Sequence, residues 1–121
     1  MILVDAANVV GSRPDRWWRD RPGAGRQLVE RVRAATVGGR VPGPVIVVLE
    51  GAARAGVEEG VVDGVEVVHA PGSGDDMLVA LLERESDSVF VVTADRGLRR
   101  RAESYGADVI GPTWLLDVLQ P

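Results

Sequence analysis

The chain has 121 residues, 45% of them hydrophobic and 26% charged, with a formal net charge of −4. That composition predicts one globular domain with a core of its own and excludes a disordered or low-complexity chain; no apolar run approaches the roughly 20 residues of a membrane span. The absence of cysteine excludes disulfides, a thiol nucleophile and a cysteine zinc site; all 14 basic residues are arginine, which excludes a phosphate-loop or Schiff-base lysine; and the single histidine, His69, excludes a histidine-rich metal centre.

In chain order, "ILVDAANVV" reads as a first strand, and "RQLVERVRAA" as a helix with Leu28, Val32 and Ala35 at i, i+4 and i+7. "PVIVVLE" is a continuous β-branched run, expected of a strand buried on both faces, and "VEVVHA" is a third strand. "DDMLVALLER" places Met77, Leu78, Leu81 and Leu82 on one helical face. "SVFVVTAD" is a fourth strand, followed by the helix "RGLRRRAESY" with Leu98, Ala102 and Tyr105 in register. "ADVIG" is a short fifth strand and "TWLLDVL" a closing helix. Between them, "GSRPDRWWRDRPGAG" and "GGRVPGP" read as connections inside one domain spanning 1–121. Strand–helix alternation predicts an α/β fold: a doubly wound parallel sheet of about five strands, helices on both faces, order 3-2-1-4-5.

In such a sheet ligands bind beyond the carboxyl ends of the strands, at the point where strand order reverses. Asp5 falls near that end of the first strand and Asp95 at that end of the fourth. Strands lie about 4.8 Å apart, so these two carboxylates can share one divalent cation. Asp75 and Asp76 start the helix that recrosses the sheet, and Glu50 ends the second strand. Each has a purely structural alternative. Asp95, with Thr93, can cap the helix beginning at Arg96, while Asp75 and Asp76 can complement a helix dipole behind a Ser73 cap. For Asp5 no helix is expected immediately afterwards, so a cap explains it less well. Taken together, the clustered carboxylates suit a hard cation such as Mg²⁺, which prefers oxygen ligands and keeps several waters.

These residues resemble a family. "VDAANVVG", "EGAARAG", "GSGDDMLVALL" and "VVTADRGLRRRAESYGADVIGPTWLL" together resemble PIN-like nuclease domains of the NYN type, in particular the YacP-like branch. The likeness runs through nearly the whole chain in the same order. The family's opening D-G-x-N stands here as Asp5-Ala6-Ala7-Asn8, without the glycine. Its A-D-[DE] stands as Gly74-Asp75-Asp76, its T-S-D as Thr93-Ala94-Asp95, and its F-D-[AG] as Leu49-Glu50-Gly51. The resemblance implies a PIN-like fold and an endoribonuclease dependent on Mg²⁺ or Mn²⁺. It implies Asp5, Asp75, Asp95 and Asp76 as catalytic and metal-site carboxylates, with Asn8 and Thr93 orienting ligands or phosphate. Carboxylate-held metal is suited to that chemistry, since it activates water and stabilises charge developing on a phosphate.

Arginines crowd two segments, Arg13 to Arg26 and Arg96 to Arg101. Arg13, Arg96, Arg99 and Arg100 are candidate phosphate contacts, although any one of them can equally be solvated surface. Trp17 and Trp18, set among arginines, are candidate platforms for stacking unpaired bases. The alternative is that one of them plugs the edge of the core. His69 ends the third strand and reads as a loop residue rather than a catalyst. The rival catalytic families fit less well: a haloacid-dehalogenase-type phosphatase needs an aspartate where Ala7 stands, and a receiver domain needs a lysine. A Toprim site needs a D-x-D pair on one strand end. A small-nucleotide pyrophosphohydrolase and a non-catalytic RNA-binding or protein-interaction module on the same fold remain as alternatives. The expected setting is cytoplasmic, with RNA as partner and no membrane; monomer or homodimer is left open.

Overall fold

The structure, a computed structural model, describes residues 1–13, 15–85 and 87–120. Pro14, inside the first arginine-rich connection, lies outside the described residues. The strands are β1 (Ile2–Asp5), β2 (Val45–Leu49), β3 (Gly60–Val62), β4 (Val65–His69), β5 (Phe90–Val92) and β6 (Asp108–Ile110). The helices are α1 (Ala6–Gly11), α2 (Arg21–Val37), α3 (Gly74–Arg84), α4 (Arg96–Ser104) and α5 (Pro112–Leu119), with 3₁₀ turns at Trp17–Arg19 and Gly51–Gly56. No described helix is long and apolar enough to cross a membrane.

The sheet order is β3-β4-β2-β1-β5-β6. Its five parallel strands follow the expected 3-2-1-4-5 order, and β3 is an additional antiparallel edge strand. The β3–β4 hairpin turns on Asp63 and Gly64, both at positive φ (54° and 77°). Asp-Gly is a favoured pair for a two-residue hairpin of this twist.

The period of two along the strands divides the core into halves. Ile2, Val4, Val45, Val47 and Leu49 pack under α1, α2 and α5 with Leu28, Val32 and Leu115. Leu3, Ile46, Val48 and Val91 pack under α3 and α4 with Leu78, Leu82, Leu98 and Ala102. Three layers result, as the continuous apolar strands require. Tyr105, expected on the inward stripe of α4, is exposed and donates its hydroxyl to Glu83.

The first strand is shorter than its sequence suggests. It stops at Asp5, and Ala6–Gly11 is helical although Val9 and Val10 are β-branched. Both valines are buried on the α2 side, so packing overrides their strand preference. The expectation that no helix follows Asp5 is thereby corrected: Asp5 is the N-cap of α1.

One close approach depends on a missing side chain. A Cβ on Gly56 would collide with the backbone of Pro22, at the start of α2. Gly72 has nothing within 4 Å of the same position. Gly56→Ala should therefore lower stability by roughly 1–3 kcal/mol in urea unfolding, whereas Gly72→Ala should be neutral or gain up to about 1 kcal/mol. Equal effects from the two would show that the Gly56–Pro22 approach does not hold α2 in place.

Candidate active site

The sheet reverses its winding at β1, between β2 and β5. Alternation along β1 puts Asp5 on the same face as Leu3, the face covered by α3 and α4. Asp5 is 4% exposed and Thr93, just past β5, is 3% exposed; they are the buried polar residues among those described. The Thr93 hydroxyl donates to Asp5 Oδ2 at 3.0 Å, and the Asn8 backbone N–H reaches Asp5 Oδ1 at 3.4 Å. Burial pushes the Asp5 carboxyl up to about 6; the Thr93 and Asn8 hydrogen bonds oppose this, and the charges of Asp75 and Glu50 reinforce it. Capping alone does not account for the arrangement, because a cap needs no burial and Asn caps about as well as Asp.

Thr93 Oγ1 also accepts the Asp95 backbone N–H at 3.1 Å, and Asn8 Oδ1 accepts the Ala94 N–H at 2.8 Å. Asp95 then caps α4, its Oδ1 accepting from Leu98 N–H at 2.8 Å. Residues 5–8 and 93–98 thus form one hydrogen-bonded unit across the β1–β5 junction.

The start of α3 leans over this unit. Ser73 caps the helix by accepting the Asp76 N–H at 3.2 Å. Gly74 donates its N–H to Glu50 Oε2 at 3.0 Å, and a Cβ on Gly74 would come within 3.0 Å of Glu50 Oε1. Glycine therefore permits the close approach of α3 to the end of β2. Asp75 follows, half-buried, and its carboxyl is also raised, first by burial and then by the charges of Asp95 and Glu50, with Arg101 opposing. Glu50, expected at the end of the second strand but with its role left open, belongs to the group. Asp76 is exposed and pairs with Arg101 at 3.0 Å. Arg101 was not singled out in the sequence; which side of α4 faces α3 is a matter of packing.

Whether a divalent ion suits this group can be judged from the carboxylates themselves. Among the described residues, no three acidic or imidazole side chains converge closely enough to enclose one. Both Asp5 oxygens accept hydrogen bonds, and one Asp95 oxygen does. The mutual repulsion of Asp5, Glu50, Asp75 and Asp95 nonetheless leaves an unneutralised negative site. An ion here would be held by one or two carboxylates and its own waters, not by a dry cage of four aspartates.

Arg96 and Arg99 line a cavity of about 230 Å³ with Thr93, Ala94 and Gly111, beyond the ends of β5 and β6. Arg100 is exposed on α4, its Nε 3.4 Å from the Arg96 carbonyl. Arg13 is paired with Asp15 at 2.6 Å and donates to Gln27 at 3.0 Å. The two tryptophans part company: Trp17 is half-buried against the core, while Trp18 is 57% exposed. Their rings meet edge to face, with centroids 6.1 Å apart. His69 ends β4, its ring Nε2 2.7 Å from the Val57 carbonyl.

No family model matches the chain, and no curated protein matches it in sequence. Among solved structures, it is similar to Rae1 (YacP) from Bacillus subtilis, with a TM-score of 0.73 and 20% identity over 98% of this chain and 72% of that one. A tryptophan-to-leucine variant of the same protein aligns with a TM-score of 0.70 and 20% identity, covering 98% and 73%. The fold is that of Rae1. The YacP-type fold implied by the sequence motifs is therefore the fold observed.

The raised Asp5 carboxyl makes a signed statement about stability. The folded state holds this proton more tightly than the unfolded chain, so the stability linked to it is complete below about pH 4 and is lost as the pH rises through 6. The gap between 3.8 and about 6 corresponds to roughly 3 kcal/mol. In EDTA, Asp5→Asn should gain on the wild type by up to that amount between pH 4 and 7.5, read from urea midpoints. A constant difference across this range would mean that Asp5 ionises as it does in water.

Proposed function

We propose that the chain is an endoribonuclease dependent on Mg²⁺ or Mn²⁺, cleaving RNA phosphodiesters at the Asp5–Asp75 group. The observation that carries this reading is a carboxylate, Asp5, raised first by burial and further by Asp75 and Glu50, at the switch point of a Rae1-like fold. Asp5 and Asp75 would hold the ion, with Asp95 acting through water; when bound, it supplies an activated water and neutralises charge developing on the phosphate. Thr93 fixes the Asp5 oxygen that it touches, and its own hydroxyl is oriented by the Asp95 N–H. Asn8 holds the Ala94 amide, which keeps the chain leading into α4 against α1. Glu50 anchors the start of α3 and so positions Asp75. Arg96 and Arg99, which share a cavity wall with Thr93, would take backbone phosphates, with Arg100 further along the same helix.

One observation favours a second reading, a non-catalytic RNA-binding module on the same fold. No three described acidic side chains converge on one point, and Asp5 is already satisfied by protein hydrogen bonds. Metal response separates the two readings. Mg²⁺ or Mn²⁺ at 100 times its dissociation constant should stabilise the wild type by roughly 2.7 kcal/mol. Asp5→Asn and Asp75→Asn should lose most of this stabilisation. RNA cleavage should require the ion, stop in EDTA and fall at least about 100-fold in either variant, while Thr93→Val should cost roughly 10- to 100-fold. RNA binding with neither metal stabilisation nor cleavage would establish the non-catalytic module instead.

A further inference from the structure

Next to the carboxylates, on the α2 face of the sheet, lies a cavity of about 240 Å³ whose walls include Ala7, Val10, Trp17, Arg21, Glu50 and Ala53. Its size is informative, because pockets for drug-sized ligands usually run from about 300 to 1,000 Å³. This one suits a single flat ring system. The chemistry of its wall is equally specific. Val10 and Ala53 belong to or pack against the apolar core, and the Trp17 indole offers a half-buried aromatic surface. The Arg21 guanidinium carbon lies over one face of the Trp17 ring, 5.5 Å from its centroid, so cation and indole form one surface. Position supplies the third constraint. Glu50 lines the cavity and also holds the Gly74 amide beside Asp75, while Ala6, another wall residue, directly follows Asp5. Glu50 is thus common to the cavity and the carboxylate group.

We propose that this cavity takes one unpaired nucleobase of an RNA strand, packed against Trp17 and Arg21, while the adjoining phosphodiester lies over Asp5 and Asp75. The assignment rests on the ribonuclease reading for the role of the carboxylates, but base capture itself needs no metal. It makes the protein selective for single-stranded positions, because a base inside a helix keeps its faces stacked and cannot enter. It also divides the tryptophans: Trp17 receives the base, and exposed Trp18 lies outside the cavity wall.

The test is binding of a short, end-labelled single-stranded oligoribonucleotide in EDTA, followed by fluorescence anisotropy, with each position in turn made abasic. Removing the base at one position should weaken binding roughly tenfold or more, the worth of one stacked base. Trp17→Leu should weaken the intact RNA by a similar factor and no longer distinguish it from that abasic form. Ala7→Leu should do the same by filling the cavity, and since Ala7 is exposed this change leaves the core intact. Binding insensitive to every abasic position, sensitivity that persists in both variants, or no RNA binding at all would overturn the proposal. Cleavage of the same RNA with Mg²⁺ or Mn²⁺ keeps the two readings apart. Cleavage alongside cavity-independent binding refutes the base pocket and leaves the nuclease standing. Cavity-dependent binding without cleavage supports the pocket and refutes the nuclease.

Discussion

A hydrogen bond between two buried side chains, Thr93 and Asp5, carries the junction on which the site is built. Burying a carboxylate costs several kcal/mol unless its oxygens find partners. Thr93 meets one oxygen and the first turn of α1 meets the other, at the longer distance of 3.4 Å. Because the same threonine hydroxyl receives the Asp95 amide, the place of β1 dictates where α4 begins. The Asn8–Ala94 bond repeats the tie one step further out. Two segments nearly ninety residues apart in sequence are therefore positioned by one small polar network inside an apolar sheet.

That network does not neutralise charge; it only supplies hydrogens. Glu50 and Asp75 add negative potential beside Asp5, and among the described residues the acidic group's ion pair runs from Arg101 to Asp76, at its exposed edge. A protein selected for stability alone would replace a buried carboxylate with a neutral isostere. A ligand bringing positive charge would relieve this repulsion.

Much of this was legible in the residues, and the failures have specific causes. Strand-end aspartates and the alternation of strands with helices place Asp5, Asp75 and Asp95 at one edge of the sheet before any coordinates are known. The Ser73 and Asp95 caps are equally visible, since capping is local chemistry. The helix after Asp5 is not, because Val9 and Val10 favour a strand and only their burial under α2 decides otherwise. β3 escaped although "VVDGVEVV" carries a strong hairpin signal, an Asp-Gly pair between valines. Glu50 and Arg101 depend on how α3 lies against β2 and α4, a relation between elements that no single stretch of sequence contains. The division of labour between Trp17 and Trp18 is of the same kind, since adjacent residues face differently only once the 3₁₀ turn has formed.

The hairpin that adds β3 also decides what the sheet presents at its margin. Both outermost strands, β3 and β6, are three residues long, and β3 begins at a glycine. An edge that short offers an incoming chain few backbone partners, so the sheet is ill suited to growth by strand addition even though Val61 and Val62 are exposed there. Without β3, the five-residue β4 would stand at the margin with its backbone groups unpaired. A three-residue ribbon thus covers the longer backbone edge that β4 would otherwise present.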